Sequence, residues 1–246
     1  MAKNDRFIFG IHPVLEAVRS GREIDKVEVH RGSVSGQMKG LLEELSRRGI
    51  PVQRVPTEKL NRLTTGNHQG VIAWLSLISY SQLDQLLPSI YEAGEDPLIL
   101  LLDGVSDVRN FGAIVRSASC AGTHAVVIPA AGSAAINADA VKTSAGALHH
   151  LPVCRVRDLL SAARFLKDSG LRLVAATEKS NTTLYETDLT GPLAMVMGSE
   201  EKGISAALLK EADSLASIPM AGKVASLNVS VASGVMLFEA VRQRNQ

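Results

Sequence analysis

The stretch "LILLLDGVSDVRNFGAIVRSASCAG", residues 98–122, decides the fold class of this chain. Its first five residues are apolar without alternation, which is typical of a strand buried on both faces of a parallel sheet. A polar turn follows, and a helical pattern then begins at Asn110 and ends at Gly122. This order of strand, turn and helix predicts an α/β domain with parallel strands.

The same alternation continues towards the C-terminus. Further strands are expected in "HAVVIPA", "LPVCRV", "LRLVAAT", "LAMVMG" and "SLASIPM", with helices between them and a last helix in "NVSVASGVMLFEAVRQ". Residues 98–246 are therefore predicted to form a doubly wound parallel sheet. Residues 1–76 alternate shorter strands and helices and are predicted to form a small α/β domain. Residues 77–97, which end in a Gly-Glu-Asp-Pro breaker, are expected to be a linker.

Composition excludes several classes of protein. The chain has 246 residues, of which 46% are hydrophobic and 4% aromatic, so an aliphatic core is expected. Cys120 and Cys154 have no metal-site spacing, which argues against zinc and against a disulfide framework. The N-terminus has no long apolar segment, and no run is long enough to span a membrane. We expect a soluble, cytoplasmic protein without a signal peptide.

Charge is distributed unevenly along the chain. Residues 1–75 contain 12 Lys and Arg against 8 Asp and Glu, whereas the whole chain has a net charge of +1. A basic N-terminal part is compatible with contacts to nucleic-acid phosphates. It is equally compatible with an ordinary solvated surface.

Three polar loops follow predicted strands of the second block, where ligands of doubly wound sheets bind. In the first loop the strand ends at Asp103, and Asn110 and Arg116 lie on the helix that follows. Asn110 could be simply the N-cap of that helix, and Arg116 a surface charge. However, an Arg among small, closely packing residues needs a partner or an anionic ligand, so a functional role is equally open.

The second loop is "MVMGSEEKGIS", residues 195–205. Its two glycines suggest a phosphate loop, but Gly203 is followed by Ile204 instead of Lys-Ser/Thr, so an NTPase is excluded. A tight turn at Gly198 remains, where backbone groups can approach a ligand closely. Glu200 or Glu201 could orient a ligand beside it.

The third loop lies in "SIPMAGKVASLNVSVASGVMLFEA", residues 217–240. Ser230, Ser233, Gly234 and Leu237 form a mostly small stripe on one helix face, which is explained by close packing. Packing does not explain Ser226 and Asn228, which stand at the mouth of the helix, where Asn228 is a plausible N-cap.

Other sites are not indicated. The chain has no GxGxxG and no legible Ser-His-Asp arrangement, and His149-His150 lack further ligands at metal spacing. We therefore interpret this histidine pair as structural or as polar lining.

Together, "DxxxxxxNFGAIVRSAxxAG", "MVMGSEEKGIS" and "IPMAGKVASLNVSVASGVMLFEA" resemble the signature motifs of the SpoU (TrmH-like) family of RNA ribose 2′-O-methyltransferases. The first block, with "FGIHPVLEAVRSG" and "HQGVIA", is similar to the RNA-binding substrate domain of that family. The layout is most similar to members that methylate a 23S rRNA guanosine in the peptidyl-transferase P-loop. A tRNA or another rRNA ribose is the alternative target, and a non-catalytic RNA-binding or assembly protein is the alternative class.

The resemblance implies a trefoil-knotted (SPOUT-type) catalytic domain and a homodimer formed through the knotted domains, with the small stripe of the last helix as a contact. It implies S-adenosylmethionine as methyl donor, with no metal. The residues that match cofactor-binding positions are Gly198, Ile218, Met220 and Leu227. The residues that match the polar active site are Asn110, Arg116, Glu200, Ser226 and Asn228.

The resemblance assigns to Arg116 the role of the base that takes the 2′-OH proton. A guanidinium has a pKa of about 12 or more, so this role requires a site that lowers its pKa. Alternatively, Arg116 stabilises the developing alkoxide and water takes the proton. Asn110 would orient Arg116 or the ribose, and Ser226 and Asn228 would position the nucleotide.

Overall fold

A computed structural model describes residues 7–32, 35–224 and 226–246, which divide into two compact units, Met1–Ser79 and Tyr80–Gln246. Residues 1–6, on which the expected absence of a signal peptide partly rests, lie outside the described ranges. Strands and helices alternate in both units, so the predicted α/β class is confirmed.

The first unit alternates strands and helices along the chain. Its described elements are β1 (Phe7–Phe9), α1 (Ile11–Arg19), β2 (Ile24–His30), α2 (Gly36–Arg47), β3 (Val52–Val55), α3 (Thr57–Leu63) and β4 (Val71–Leu75). The strands form a sheet in the order β1-β4-β2-β3, in which β4 is antiparallel to β1 and β2, and β3 is parallel to β2.

The two faces of this sheet are covered differently. Apolar residues of α1 and α2 pack on one face against Val27, Val29, Val71 and Ala73. The other face carries a smaller cluster, in which Leu60 of α3 packs on Val55 and Ile72. Alternation along each strand places successive side chains on opposite faces, which is why one sheet can support two separate clusters.

The second unit has a longer run of the same alternation. Its elements are β5 (Tyr80–Ser81), α4 (Leu83–Glu92), β6 (Leu98–Asp103), α5 (Val108–Cys120), β7 (Ala125–Pro129), α6 (Ala138–Thr143), a 3₁₀ turn (Ala147–His149), β8 (Val153–Val156), α7 (Leu159–Asp168), β9 (Arg172–Ala176), β10 (Leu193–Gly198), α8 (Ala206–Glu211), β11 (Ser214–Ala216) and α9 (Val229–Arg244).

The strands of this unit form a sheet in the order β11-β9-β10-β6-β7-β8-β5, and every pairing described in it is parallel. The central strand β6 is buried along its apolar length. One face packs on α4, α7 and α8 through an aliphatic cluster that includes Ile99 and Leu101. Leu100 and Leu102, which alternate with them, are also buried, as expected for a sheet covered on both faces.

The predicted linker, residues 77–97, is partly built into the second unit. β5 pairs with β8 at the edge of the parallel sheet, and α4 packs Leu83, Leu87 and Ile90 into its core. The physical reason is the apolar stripe of α4, which has to be buried.

Two local expectations also differ from the structure. The pattern "NADAVKTSAGALHH", residues 137–150, predicts one helix, but α6 stops at Thr143, because Ala145 and Gly146 adopt left-handed backbone angles (φ 51° and 86°). His149 and His150 are exposed, so the structure does not support their interpretation as structural or lining residues. Over the residues that the structure describes, none of the helices has the length and apolar character that a membrane crossing requires.

Candidate active site

The candidate site lies where the parallel sheet reverses its strand order. From β6, the chain builds β7 and β8 on one side and the strands β10, β9 and β11 on the other. Such a reversal leaves a crevice outside the carboxyl ends of the strands, where ligands bind in α/β sheets. Gly198 at the end of β10 stands directly opposite Asp103 at the end of β6. The first two polar loops therefore start side by side.

Helix α5 begins at Val108, two residues before Asn110. Its N-cap is Asp107, whose Oδ1 accepts the backbone N–H groups of Arg109 at 2.9 Å and Asn110 at 2.8 Å. A carboxylate at this place is favoured by the unpaired N–H groups and by the helix dipole. The interpretation of Asn110 as the N-cap is therefore wrong, and its side-chain amide is available for other contacts.

The second loop is a tight turn that only glycine permits at Gly198. A Cβ atom there would lie 2.2 Å from the carbonyl carbon of Gly203, far inside contact distance. The turn is closed by the Gly203 N–H, which donates to the Ser199 carbonyl at 2.8 Å, and by the Lys202 N–H, which donates to Ser199 Oγ at 3.2 Å. The predicted tight turn at Gly198 is confirmed.

Asp103 fastens the far end of this loop. Its Oδ2 accepts the backbone N–H of Ser205 at 2.7 Å, across 102 residues of sequence. Gly198 at one end of the loop is held by strand pairing, and Ser205 at the other end is held by this carboxylate. Both ends of the loop that carries Glu200 are thus attached to β6.

Asn110, Glu200 and Asn228, one from each polar loop, form a hydrogen-bonded cluster. Glu200 Oε1 accepts Asn110 Nδ2 at 3.3 Å, the Val229 N–H at 3.2 Å, and Asn228 Nδ2. Asn228 Nδ2 also donates to Asn110 Oδ1 at 3.0 Å. Within the described ranges Glu200 has no ion-pair partner, so the cluster carries one uncompensated negative charge.

The hydrogen-bonding groups of the Asn228 side chain are all engaged. Its Nδ2 protons go to Glu200 and Asn110, and its Oδ1 accepts Ser230 N–H at 3.0 Å and Ser230 Oγ at 2.5 Å. This bond to the N–H of Ser230 confirms Asn228 as the N-cap of α9. Among the described residues, Glu200 Oε2 and the second Nδ2 proton of Asn110 keep no partner. These two groups can meet a ligand.

Arg116 stands apart from this cluster. Six residues of helix separate it from Asn110, which corresponds to about 9 Å along the axis and about 240° around it. Its side chain is exposed and makes no hydrogen bond or ion pair with the residues that the structure describes. The sequence argument that Arg116 needs a partner inside a tightly packed helix face is wrong for the single chain, because this position points to solvent.

Helix α9 packs on α5 through the small stripe. Ser233 and Leu237 are fully buried, and a Cβ at Gly234 would come within 3.8 Å of Ser117 Oγ. Ser233 and Leu237 therefore make contacts inside the chain, whereas Ser230 and Gly234 are half-buried, and a contact of the stripe with a second chain stays a prediction. The large apolar residues of α9 that remain exposed are Val231 and Phe238, at 51% and 50%.

A cleft opens at the same edge of the sheet. Its walls include Ile218, Met220 and Leu227, three of the predicted cofactor positions, together with Ser226. Gly198, the fourth, adjoins the lining residue Met197. Ser226 thus lies in the cleft, whereas Asn228 lies in the polar cluster.

Sequence reasoning missed one wall of this cleft, which is formed by Ala176, Thr177 and Glu178 after β9. A signal is present, because "LRLVAAT" predicts a strand whose carboxyl end leads directly into Thr177-Glu178. Strand order was the missing information: β9 lies beside β10, but nothing in the sequence shows this. Within the described parts of the chain, no three His, Cys, Asp or Glu side chains are grouped so that they could hold a metal ion.

Comparisons with known proteins cover nearly the whole chain. The SpoU rRNA Methylase family matches residues 97–238, and the family described as RNA 2'-O ribose methyltransferase substrate binding matches residues 7–81. The 23S rRNA (guanosine-2'-O-)-methyltransferase RlmB of Escherichia coli (strain K12) is 39% identical over 241 residues, covering 97% of this chain and 98% of the relative. The RlmB of Xylella fastidiosa is 41% identical over 246 residues, covering 99% of each chain.

Solved structures show the same similarity. The SpoU methyltransferase AviRb from Streptomyces viridochromogenes, in complex with the cofactor AdoMet, superposes with a TM-score of 0.60 at 27% identity, covering 96% of this chain and 89% of that chain. An AdoMet-bound rRNA methyltransferase from Sinorhizobium meliloti superposes with a TM-score of 0.61 at 26% identity, covering 96% and 87%.

Proposed function

This chain belongs to the SpoU rRNA methylase family, and from that premise we propose that it methylates the 2′-OH of a guanosine ribose in 23S rRNA, with S-adenosylmethionine as donor. We place the target in the peptidyl-transferase P-loop and the reaction in the cytoplasm. The observation that carries the proposal is the cluster of Asn110, Glu200 and Asn228 beside a cleft lined by Ile218 and Leu227.

The residues of the cleft fit such a donor. Ile218, Met220 and Leu227 provide apolar walls for the adenosine, and the backbone at Gly198 can approach the donor closely, since glycine adds no side chain. The donor is cationic, and Glu200 supplies an uncompensated negative charge at the same edge of the sheet. The bound donor supplies an activated methyl group on a sulfonium, so we assign no metal to the reaction.

The polar cluster orients the acceptor. Glu200 Oε1 bonds both Asn110 and Asn228, so the amide of Asn110 cannot rotate without breaking two hydrogen bonds and that of Asn228 without breaking four. Glu200 Oε2 then accepts a hydrogen bond from the substrate, and the free Nδ2 proton of Asn110 donates to an oxygen of the ribose or phosphate. Holding the 2′-OH in line with the methyl group lowers the barrier by several kcal/mol, up to about 7–11 in ideal cases.

Arg116 lies apart from the cluster, so it takes part in the reaction only if a second chain completes the site. We propose that two chains pair through the exposed face of α9, with Val231 and Phe238 at its centre, and that this pairing brings Arg116 into an active site. There it acts either as the base for the 2′-OH proton or, in our preferred assignment, as the cation that stabilises the developing alkoxide.

We also propose that the last helix threads through the chain as a trefoil knot. Two contacts at the end of α9 support this arrangement. The Arg244 guanidinium donates to the carbonyl oxygens of Asp96, Pro97 and Gly191, and Gln243 bonds the backbone of Thr187 and Leu189. The end of α9 is therefore held by the segments that lead into β6 and β10.

The experiment that tests the proposal is transfer of labelled methyl groups from S-adenosylmethionine to protein-free, unmodified 23S rRNA, followed by mapping of the 2′-O-methyl position. We expect incorporation at one guanosine. Glu200→Gln should abolish it, whereas Glu201→Gln, the exposed neighbour, should not. Incorporation only into tRNA would support the alternative substrate. A protein that binds rRNA but transfers no methyl group would overturn the enzymatic proposal in favour of an assembly protein.

A further inference from the structure

An aromatic row crosses the first unit on the sheet face opposite α1 and α2. Phe7 of β1 is paired in register with Trp74 of β4, and Trp74 is paired in register with Lys26 of β2. The three side chains therefore stand side by side on one face of the sheet, because residues in register share a face. All three are half-buried, so part of each remains open to solvent.

The rings of this row contact one another and remain partly exposed to solvent. The Phe7 and Trp74 centroids are 5.4 Å apart at an interplanar angle of 57°, and Phe9 lies 6.4 Å from Phe7 at 47°. Lys26 Nζ lies 5.9 Å from the centre of the Trp74 ring. The chain has only five Phe, three Tyr and one Trp, so three of nine aromatic residues are gathered here.

Helix α3 accounts for only part of the row. Its Leu60 packs on Val55 and Ile72, and Phe7 and Phe9 pack against this cluster, with Phe9 in register with Ile72. An aromatic face that served only the cluster would not need Trp74 or Lys26, which lie outside it.

The charge beside the row is positive. Glu28 is 1% exposed and is bonded by Lys59 Nζ at 2.8 Å, with Lys26 Nζ at 3.5 Å. One carboxylate therefore faces two ammonium groups, and one positive charge remains. Burial raises the pKa of Glu28, but the Lys59 bond, the Trp74 side chain and the Lys26 charge together outweigh it and hold that pKa below its usual value. Glu28 is thus ionised at neutral pH, and it keeps both lysines at the edge of the aromatic row.

From this arrangement we infer that the row of Phe7, Trp74 and Lys26 binds RNA by stacking an unpaired base on the rings, with the ammonium groups contacting its phosphate. Aromatic rings stack on any base, and cations beside them hold the backbone. The inference rests on the proposed function, because the occupant is an unpaired nucleotide of the RNA substrate. It adds to that function a surface that selects unpaired over duplex RNA.

Trp74 is the only tryptophan of the chain and therefore reports directly on the row. The probe is a fluorescein-labelled, unstructured 12-nucleotide RNA of mixed sequence, compared with a blunt duplex of the same sequence. We expect the single strand to quench Trp74 emission along the same curve that anisotropy gives for binding, and the duplex to bind more weakly without quenching. Unchanged emission on binding, equal affinity for the duplex, or no binding of the single strand would overturn the inference.

Variants then separate the row from the active site. Trp74→Leu keeps an apolar side chain but cannot stack, and it should weaken single-strand binding and raise KM for rRNA roughly tenfold. Its kcat and its binding of S-adenosylmethionine should not change. Phe165→Leu removes a half-exposed ring of α7 and is the matched control, expected to behave as wild type. Lys26→Gln should weaken binding and reduce its salt dependence.

The outcomes distinguish the inference from the proposed function. Full methyl transfer with an unchanged KM in Trp74→Leu would refute the stacking surface while leaving the enzyme assignment in place. Quenching of Trp74 by RNA in a protein that transfers no methyl group would refute the enzyme assignment and leave the surface. If Trp74→Leu does not fold, the emission of the wild-type protein and the Lys26→Gln titration still decide.

Discussion

Asp103→Ala should slow methyl transfer without weakening RNA binding. Asp103 Oδ2 holds the backbone N–H of Ser205 at 2.7 Å and so closes the loop that carries Glu200. A hydrogen bond to a charged acceptor contributes about 1.5–3 kcal/mol, and the half-exposed position of Asp103 favours the lower end of that range. At about 1.4 kcal/mol for each factor of ten, the rate should fall roughly tenfold.

The assay is single-turnover methyl transfer from labelled S-adenosylmethionine to unmodified 23S rRNA, with KM for RNA measured separately. Asp103→Asn provides the conservative test, since its amide oxygen can still accept the Ser205 N–H. Its rate should stay within about threefold of wild type, which is the difference between a charged and a neutral acceptor.

Asp213→Ala is the matched control. Asp213 Oδ2 also accepts a backbone N–H, that of Leu173 at 2.8 Å, but at the amino end of the sheet. Losing this hydrogen bond should cost about 1.5 kcal/mol of stability and so lower Tm by roughly 3–6 °C. The rate of methyl transfer should not change. A wild-type rate in Asp103→Ala, or the same loss in Asp103→Asn and Asp213→Ala, would refute the reasoning.

Three further predictions concern other residues. Gly198→Ala should lose methyl transfer and donor binding in calorimetry, because its Cβ would lie 2.2 Å from the Gly203 carbonyl carbon; unchanged donor affinity would contradict the close turn. Asn228→Ala should lower Tm because it removes the N-cap of α9, a loss of about 1 kcal/mol in stability, whereas Asn228→Ser should keep the wild-type Tm. Both variants should lose activity; an active Ser variant would show that Asn228 acts only as the cap. A thiol reagent at pH 8 should modify one cysteine per chain, the exposed Cys120, because burial raises the pKa of Cys154 to about 11 and keeps its thiol protonated; mass spectrometry that finds Cys154 labelled first would contradict this.

The elements of the fold could be predicted because their signals are local. The apolar run of β6 and the small-residue pattern of α5 indicate a strand and a helix without any knowledge of distant residues. The sequence predicts the start of α5 at Asn110 instead of Val108, because Asn and Asp are both good N-caps and only the structure shows that Asp107 makes the bonds. The strand order, which places β9 beside β10, leaves no local trace in the sequence.

The candidate site was predictable in its residues but not in its connections. Asn110, Glu200 and Asn228 could each be singled out as polar residues after buried strands, and the structure brings them together. Their catalytic roles stay predictions. Arg116 shows the limit of pattern reasoning, because a helix of small residues does not reveal which of its faces meets a neighbouring element and which meets solvent.

The hydrogen bonds of the cluster join residues that are far apart in the sequence, which matters when the chain is cut into two fragments. Asn110 is 90 residues from Glu200 and 118 from Asn228, and the segment between β7 and α6, with exposed residues at 131 and 132, lies between them. A break in that segment leaves one fragment with Asn110 and the other with Glu200 and Asn228, so neither fragment alone can form the cluster. Methylation of RNA would then require the two fragments to associate, so the activity could serve to detect their association.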